Sequence, residues 1–198
     1  MRIARAVSQI TTLGPGKRLA IWVNGCSRGC PGCVSERLQV ADEFTEVNIE
    51  DFLDGFFEKM PDGVTISGGE PFEQISELGH LMTYLRAKGV EDILIYTGYT
   101  LRELRDMQHP VVDHILALCS VLIDGPYVLG QDTGQGNLKG SDNQQVHFLD
   151  PSVKPKYLSF MNEKRSMQEL DMGHIRLGVG IPDRAYIEQF KNTNQKGS

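Results

Sequence analysis

The sequence, 198 residues long, predicts an α/β fold with a mostly parallel sheet, on three observations. Short apolar runs alternate along the chain with runs of helical period. The stretches between them have the length that right-handed βαβ units use. The composition, 40% hydrophobic and 23% charged, is that of an ordinary folded protein and excludes global disorder.

The elements follow in order. RLAIWVN, residues 18–24, is a short apolar run that ends at Gly25 and reads as a buried strand feeding a loop. The loop itself, CSRGCPGC, is too rich in Gly and Pro for regular structure. Residues 49–59 place Ile49, Phe52, Leu53, Phe56 and Phe57 on one helical face, and Pro61-Asp62-Gly63 ends that helix. VTIS, 64–67, is the second core strand. Residues 73–88 form a helix with Ile75, Leu78, Leu81, Met82 and Leu85 inside and Gly89 as its stop. DILIYT, 92–97, is a strand. Residues 100–118 are helical in pattern, with Pro110 kinking or splitting them. SVLID, 120–124, is the next strand. Residues 129–145 are polar and Gly-rich, either a long functional loop or a mobile one. KYLSF (156–160) and HIRLGVG (174–180) are later strand candidates. A last helix starts at Pro182, and the tail frays from about residue 191.

Charge and cysteine usage narrow the classes. A net charge of −6 argues against a nucleic-acid binder that works through bulk positive charge. No apolar run approaches the ~18 residues of a membrane span, and the amino-terminal MRIARAVSQITTLGPG has no signal-peptide pattern. Cys26, Cys30 and Cys33 fall within eight residues, with Cys119 far away. A disulfide framework spreads its cysteines, so this clustering points to a reducing compartment, the cytoplasm, and to a metal.

In parallel sheets the chemistry gathers at the carboxyl ends of the strands. Here four unusual loops land there: the cysteine loop, Ser67-Gly68-Gly69-Glu70-Pro71, Thr97-Gly98-Tyr99 and Asp124-Gly125-Pro126-Tyr127. Three thiolates in the spacing CxxxCxxC can converge on one centre, because Gly25, Gly29, Pro31 and Gly32 let the backbone curl. Soft sulfur suits zinc or iron–sulfur. Structural zinc prefers four ligands, commonly as two separated pairs. Cys119, at the end of a helical run, reads as a small buried thiol, so the centre is three-ligated with one position open. Gly68 and Gly69 permit close backbone approach, and the Glu70 carboxylate next to them can pair with an ammonium group; the same residues also make an ordinary turn before a helix. Arg28 lies between the ligands, where its charge tunes a cluster or is solvated. Asn143 and Gln144 line the site or fix their loop. His147 follows them and merits a test, whereas the other histidines are scattered.

CxxxCxxC after the first core strand, followed by SGGEP after the second, resembles the radical S-adenosylmethionine (SAM) superfamily. YTGYTLREL (96–104), LIDGPYV (122–128), KGSDNQQV (139–146), CPGC (30–33) and the opening LGPGKRLAIWVNGC resemble the activating enzymes of anaerobic ribonucleotide reductase within it. The resemblance spans about residues 10–148. It implies a partial (βα) barrel over residues 1–150, with 151–198 as a C-terminal extension packing on that core. It implies a [4Fe-4S] cluster on Cys26, Cys30 and Cys33, whose free iron chelates SAM. Cleavage of SAM would give a 5′-deoxyadenosyl radical, and the partner would be a glycyl-radical enzyme. An electron donor such as flavodoxin or ferredoxin would feed the cluster. Gly32 and Val34 match the backbone that touches SAM, and Gly68, Gly69 and Glu70 the loop that holds its methionine part. Thr97 and Asp124 occupy strand ends that in related activases face SAM and a monovalent cation, although an Asp there also serves as a structural cap. The chain runs about 50 residues past the usual end of these activases. Two alternatives remain: a radical SAM enzyme for a small molecule or peptide, and a non-catalytic zinc or iron–sulfur binding protein.

Overall fold

The structure is a computed structural model that describes residues 1–41, 46–134, 136–171, 173, 176–182 and 186. Strands β1 (Ile3–Ile10), β2 (Arg18–Val23), β3 (Gly63–Gly68), β4 (Ile93–Tyr96), β5 (Val121–Asp124) and β6 (Gln145–Phe148) form one sheet in that spatial order. β2 to β5 are parallel neighbours, and the outer strands β1 and β6 pair antiparallel with them. The result is a mixed α/β fold with a mostly parallel central sheet, as the alternating pattern predicts. Among the described residues no helix is long and apolar enough to cross a membrane.

The core strands are largely apolar because both faces of the sheet are covered. Leu19, Ile21, Val23, Val64, Ile66, Ile93, Ile95 and Leu122 point to one face. There they meet α1 (Ile49–Leu53), α2 (Ile75–Ala87) and α4 (Pro110–Leu118) through Leu53, Leu78, Leu81, Met82, Leu85, Val112 and Ile115. Leu94, Val121 and Ile123 point the other way, onto Leu138, Val153, Tyr157 and Phe160. Full burial of each such side chain contributes roughly 1.5–3 kcal/mol.

Several sequence expectations need correcting. KYLSF is not a strand: it lies inside α5 (Lys154–Met161), with Pro155 in the first turn. Val153, Tyr157 and Phe160 are buried at spacings of four and three, the period of one helix face. The helix expected over 49–59 ends at Leu53, and residues 54–57 continue as a 3-10 turn through Gly55. Residues 100–118 are split, as Pro110 predicts, into α3 (Leu101–Asp106) and α4, which Pro110 opens. HIRLGVG contains β8 (Arg176–Val179), which pairs with β7 (Gln168–Asp171) in a separate two-stranded ribbon. The ribbon packs Val179 with Leu170 and Leu177 against Ile10 and Ala20. Of the helix expected from Pro182 only Pro182 and Tyr186 are among the described residues, and the tail from 191 lies outside them.

Beneath the sheet, at the amino ends of the strands, sits a buried ion cluster. Arg18 is fully buried and donates to Asp92 Oδ2 at 2.9 Å, to Thr65 Oγ1 and to the Val64 carbonyl. The Tyr157 hydroxyl donates to Asp92 Oδ1 at 2.8 Å, and Lys156 Nζ lies 2.8 Å from Oδ2. Burial pushes the Asp92 carboxyl up, but Arg18, Lys156 and Tyr157 outweigh it and leave its pKa below the usual carboxylate value. The cluster ties α5 to the base of the sheet.

Candidate functional site

The parallel strands bring the four unusual loops to one edge of the sheet, in strand order. The backbone then knits each loop to its neighbour. Gly69 N–H donates to the Val23 carbonyl and Glu70 N–H to the Gly25 carbonyl. Thr97 N–H donates to Ile123 and Gly125 N–H to Tyr99. A β-carbon on Gly69 would collide with the Gly25 carbonyl oxygen, so glycine is required for the second loop to lie on the first.

The cysteine loop leaves β2 and is pinned from below by Gly25 N–H to Leu38 O and Cys26 N–H to Gln39 O. Cys26, Cys30 and Cys33 are all half-buried and free of disulfides. Burial raises the thiols of Cys26 and Cys33 above their ordinary value, so a metal must displace their protons to bind. Among the described residues no three His, Cys, Asp or Glu side chains converge on one metal-ion position. Three soft thiolates on one short loop are a donor set that fits an iron–sulfur cluster. Cys119 does not join it: it is buried directly after α4, its thiol reaches the Val121 carbonyl at 3.1 Å, and burial pushes its pKa up to about 12.

Two side chains of the cysteine loop dock it to the next loops. Ser27 donates through both N–H (2.8 Å) and Oγ (2.6 Å) to Glu73 Oε1. The Arg28 guanidinium stacks over the Tyr99 ring at 4.5 Å, and a β-carbon on Gly98 would come within 2.5 Å of Arg28 Cδ. Arg28 is therefore packed rather than solvated. Glu73 is a contact that the sequence reading does not include; it stands two residues past Pro71, the end of the second loop.

Glu70 is the knot of the edge. It is 1% exposed, and its carboxylate accepts from Phe72 N–H (3.0 Å), Thr97 Oγ1–H (2.8 Å) and Gly98 N–H (2.7 Å). Burial outweighs those donors and leaves its pKa above the ordinary carboxylate value. Thr97 thus turns toward Glu70, and its hydroxyl also accepts from Tyr99 N–H. Asp124 points elsewhere: Oδ2 accepts from Leu101 N–H at 2.6 Å, in the first turn of α3, and Oδ1 accepts from Gln145 N–H. His147 Nε2 lies 2.9 Å from Asp124 Oδ2, in ion-pair range but not aligned as a hydrogen bond. Asn143 and Gln144 fix their own loop, donating to Pro126 O and Gly125 O. Gly32 and Val34 stand at the outer rim, Val34 69% exposed.

Residues 12–147 match the family model of the 4Fe-4S single cluster domain. An anaerobic ribonucleoside-triphosphate reductase-activating protein of Escherichia coli (strain K12) is 36% identical over 148 residues, covering 69% of this chain and 91% of the relative. This chain belongs to that family. Activating proteins of the same name from Vibrio cholerae serotype O1 (31% over 144 residues, 68% of this chain and 89% of the relative) and Enterobacteria phage T4 (28% over 139 residues, 67% and 85%) also match. The matched region of this activating-protein family member contains all four edge loops; α5 and the β7–β8 ribbon lie beyond the end of the family model's match.

Proposed function

We propose that the chain is a radical SAM activase that generates a glycyl radical on a partner enzyme of the anaerobic ribonucleotide reductase kind. The observation that carries this reading is the docking of the CxxxCxxC loop directly on the Gly68-Gly69-Glu70 loop at the carboxyl edge of a parallel sheet. We read the sheet as the partial barrel of that superfamily, with residues 1–150 as its core and 151–198 as an extension. Cys26, Cys30 and Cys33 would hold a [4Fe-4S] cluster. A cluster held there would supply the one electron that breaks a C–S bond of SAM into methionine and a 5′-deoxyadenosyl radical, the species that would take a hydrogen atom from a glycine α-carbon of the partner to leave 5′-deoxyadenosine and the glycyl radical.

The chain's own residues do the positioning. Gly68 and Gly69 present backbone to the methionine part of SAM, and Gly32 and Val34 present it beside the last cysteine. Glu70 holds the second and third loops in register through its three acceptor contacts. Its action on SAM is through that clamp, since its carboxylate is already enclosed. Thr97 belongs to the same clamp. Asp124 accepts from the first N–H of α3, whose cap is Thr100, and lies in ion-pair range of His147, and we do not place a monovalent cation on it. A cytoplasmic setting and a flavodoxin- or ferredoxin-type reductant are part of this reading.

The test is anaerobic reconstitution. Active protein should hold about four irons per chain and release 5′-deoxyadenosine from SAM under reduction. It should also raise a glycyl signal by electron paramagnetic resonance when mixed with the anaerobic reductase. Cys30→Ala should lose the iron and all three behaviours. Cleavage with no glycyl signal would favour a small-molecule or peptide substrate, and one zinc per chain with no cleavage would favour a binding protein.

A further inference from the structure

The long Gly-rich loop after β5 is clasped from one side and touches the cysteine loop on the other. The clasp is Arg165, just past α5 and outside the region that the family model matches. Its side chain is 8% exposed, and Nη1 and Nη2 each lie 2.8 Å from an oxygen of Asp132, a forked charge-assisted contact. Nε donates to the Gly136 carbonyl at 2.6 Å, and Nη2 also donates to the Lys139 carbonyl at 2.9 Å. Beside it, Asn137 Nδ2 donates to the Phe160 carbonyl at 2.6 Å, and Leu138 is buried against Val153, Tyr157 and Phe160. α5 is in turn fastened to the sheet by the Asp92 cluster. At the other end of the loop Leu129 lies over the cysteine loop: a β-carbon on Gly32 would stand 2.9 Å from Leu129 Cδ1. Gly32 precedes Cys33 directly, so this contact sits beside a cluster ligand. Leu129 is itself 64% exposed, so it acts as a cover with solvent above it rather than as core.

We propose that Arg165 is the positioning residue of a cap: it holds the loop so that Leu129 shields the cysteine loop from small solutes such as dioxygen and chelators. The inference rests on the cluster assignment above and adds to it a role for the carboxyl-terminal segment. Arg165 touches neither cysteine nor SAM loop and acts only through the loop it grips.

Two variants separate the grip from the cover. Arg165→Met keeps the aliphatic stem and removes the forked donors; Leu129→Ala leaves the grip whole and removes the cover. Each is reconstituted anaerobically beside the wild type, and the decay of cluster absorbance is followed after adding a ferrous chelator or air. Hydrogen exchange over residues 136–141 is read in the same samples. Both variants should lose cluster about tenfold faster than the wild type at equal initial iron. Only Arg165→Met should raise exchange at 136–141. Equal decay in all three proteins would overturn the cap, as would faster exchange in Arg165→Met without faster decay. A wild type that takes up no iron would instead overturn the cluster assignment itself. Leu129 is exposed and its truncation spares the core, so that variant keeps the test open should Arg165→Met fold poorly.

Discussion

Glu70 shows how much one side chain organises. The residue lies in the second loop, yet its three donors come from the start of the helical turn that follows and from the end of β4. Replacing it by alanine strands Phe72 N–H, Thr97 Oγ1–H and Gly98 N–H in a buried place, at roughly 1–3 kcal/mol for each donor left unpaired. The loops would then lose register while the cysteines keep their own anchors at Leu38 and Gln39. Glu70→Ala should therefore weaken SAM binding about tenfold or more, with iron content unchanged. Iron loss in that variant, measured beside SAM affinity by equilibrium binding, would show that Glu70 supports the cluster rather than the SAM loop. The residue types of this edge were legible in the sequence, because three cysteines and a Gly-Gly-Glu at strand ends have few other uses. Their orientations were not. Asp124 and Thr97 both end strands, but Thr97 faces Glu70 and Asp124 faces the first turn of α3, and spacing alone does not set such a direction.

Among the elements, α5 is the one sequence reading mistook and the one that does most beyond the core. Tyr, Leu and Phe in KYLSF suit a strand locally, and only the longer period through Val153 reveals the helix. β1 and β6 escaped notice for a related reason: each is an outer antiparallel strand, and β6 is four residues long and follows directly on a polar loop. β7 carries Glu169 and Asp171 on its exposed side, which hides its alternation. The anchor of α5 makes a prediction at this scale. Asp92 has a lowered pKa when folded, so its contribution to stability is complete above the unfolded value of about 3.9 and is lost as pH falls through the folded pKa. Asp92→Asn should cost about 3–5 kcal/mol near neutral pH, since it leaves the Arg18 charge buried without its partner. It should also flatten the acid limb of the stability curve below about pH 4. Urea denaturation across pH would check both, and acid limbs that run parallel in variant and wild type would contradict the linkage.

The whole molecule is a parallel sheet used from both ends. Its carboxyl edge gathers four loops and three thiols, and its amino edge fastens the segment that reaches back to grip the loop beside those thiols. The apolar strands sandwiched between the two faces keep these ends in fixed relation. The alternating pattern foretold the sheet and the edge at which the four loops gather, because βαβ topology leaves few other arrangements. It did not foretell the return path of residues 151–181, which depends on long-range contacts such as Arg165 with Asp132 and Thr12 with Val179.

The most direct measurement is Mössbauer spectroscopy of protein loaded with iron-57, recorded with and without SAM. A cluster held by Cys26, Cys30 and Cys33 alone has one iron without a protein sulfur, and the signal of that single iron should shift when SAM is added while the others stay in place. Spectra that are identical with and without SAM, from material that is fully loaded, would contradict a three-cysteine centre open to SAM.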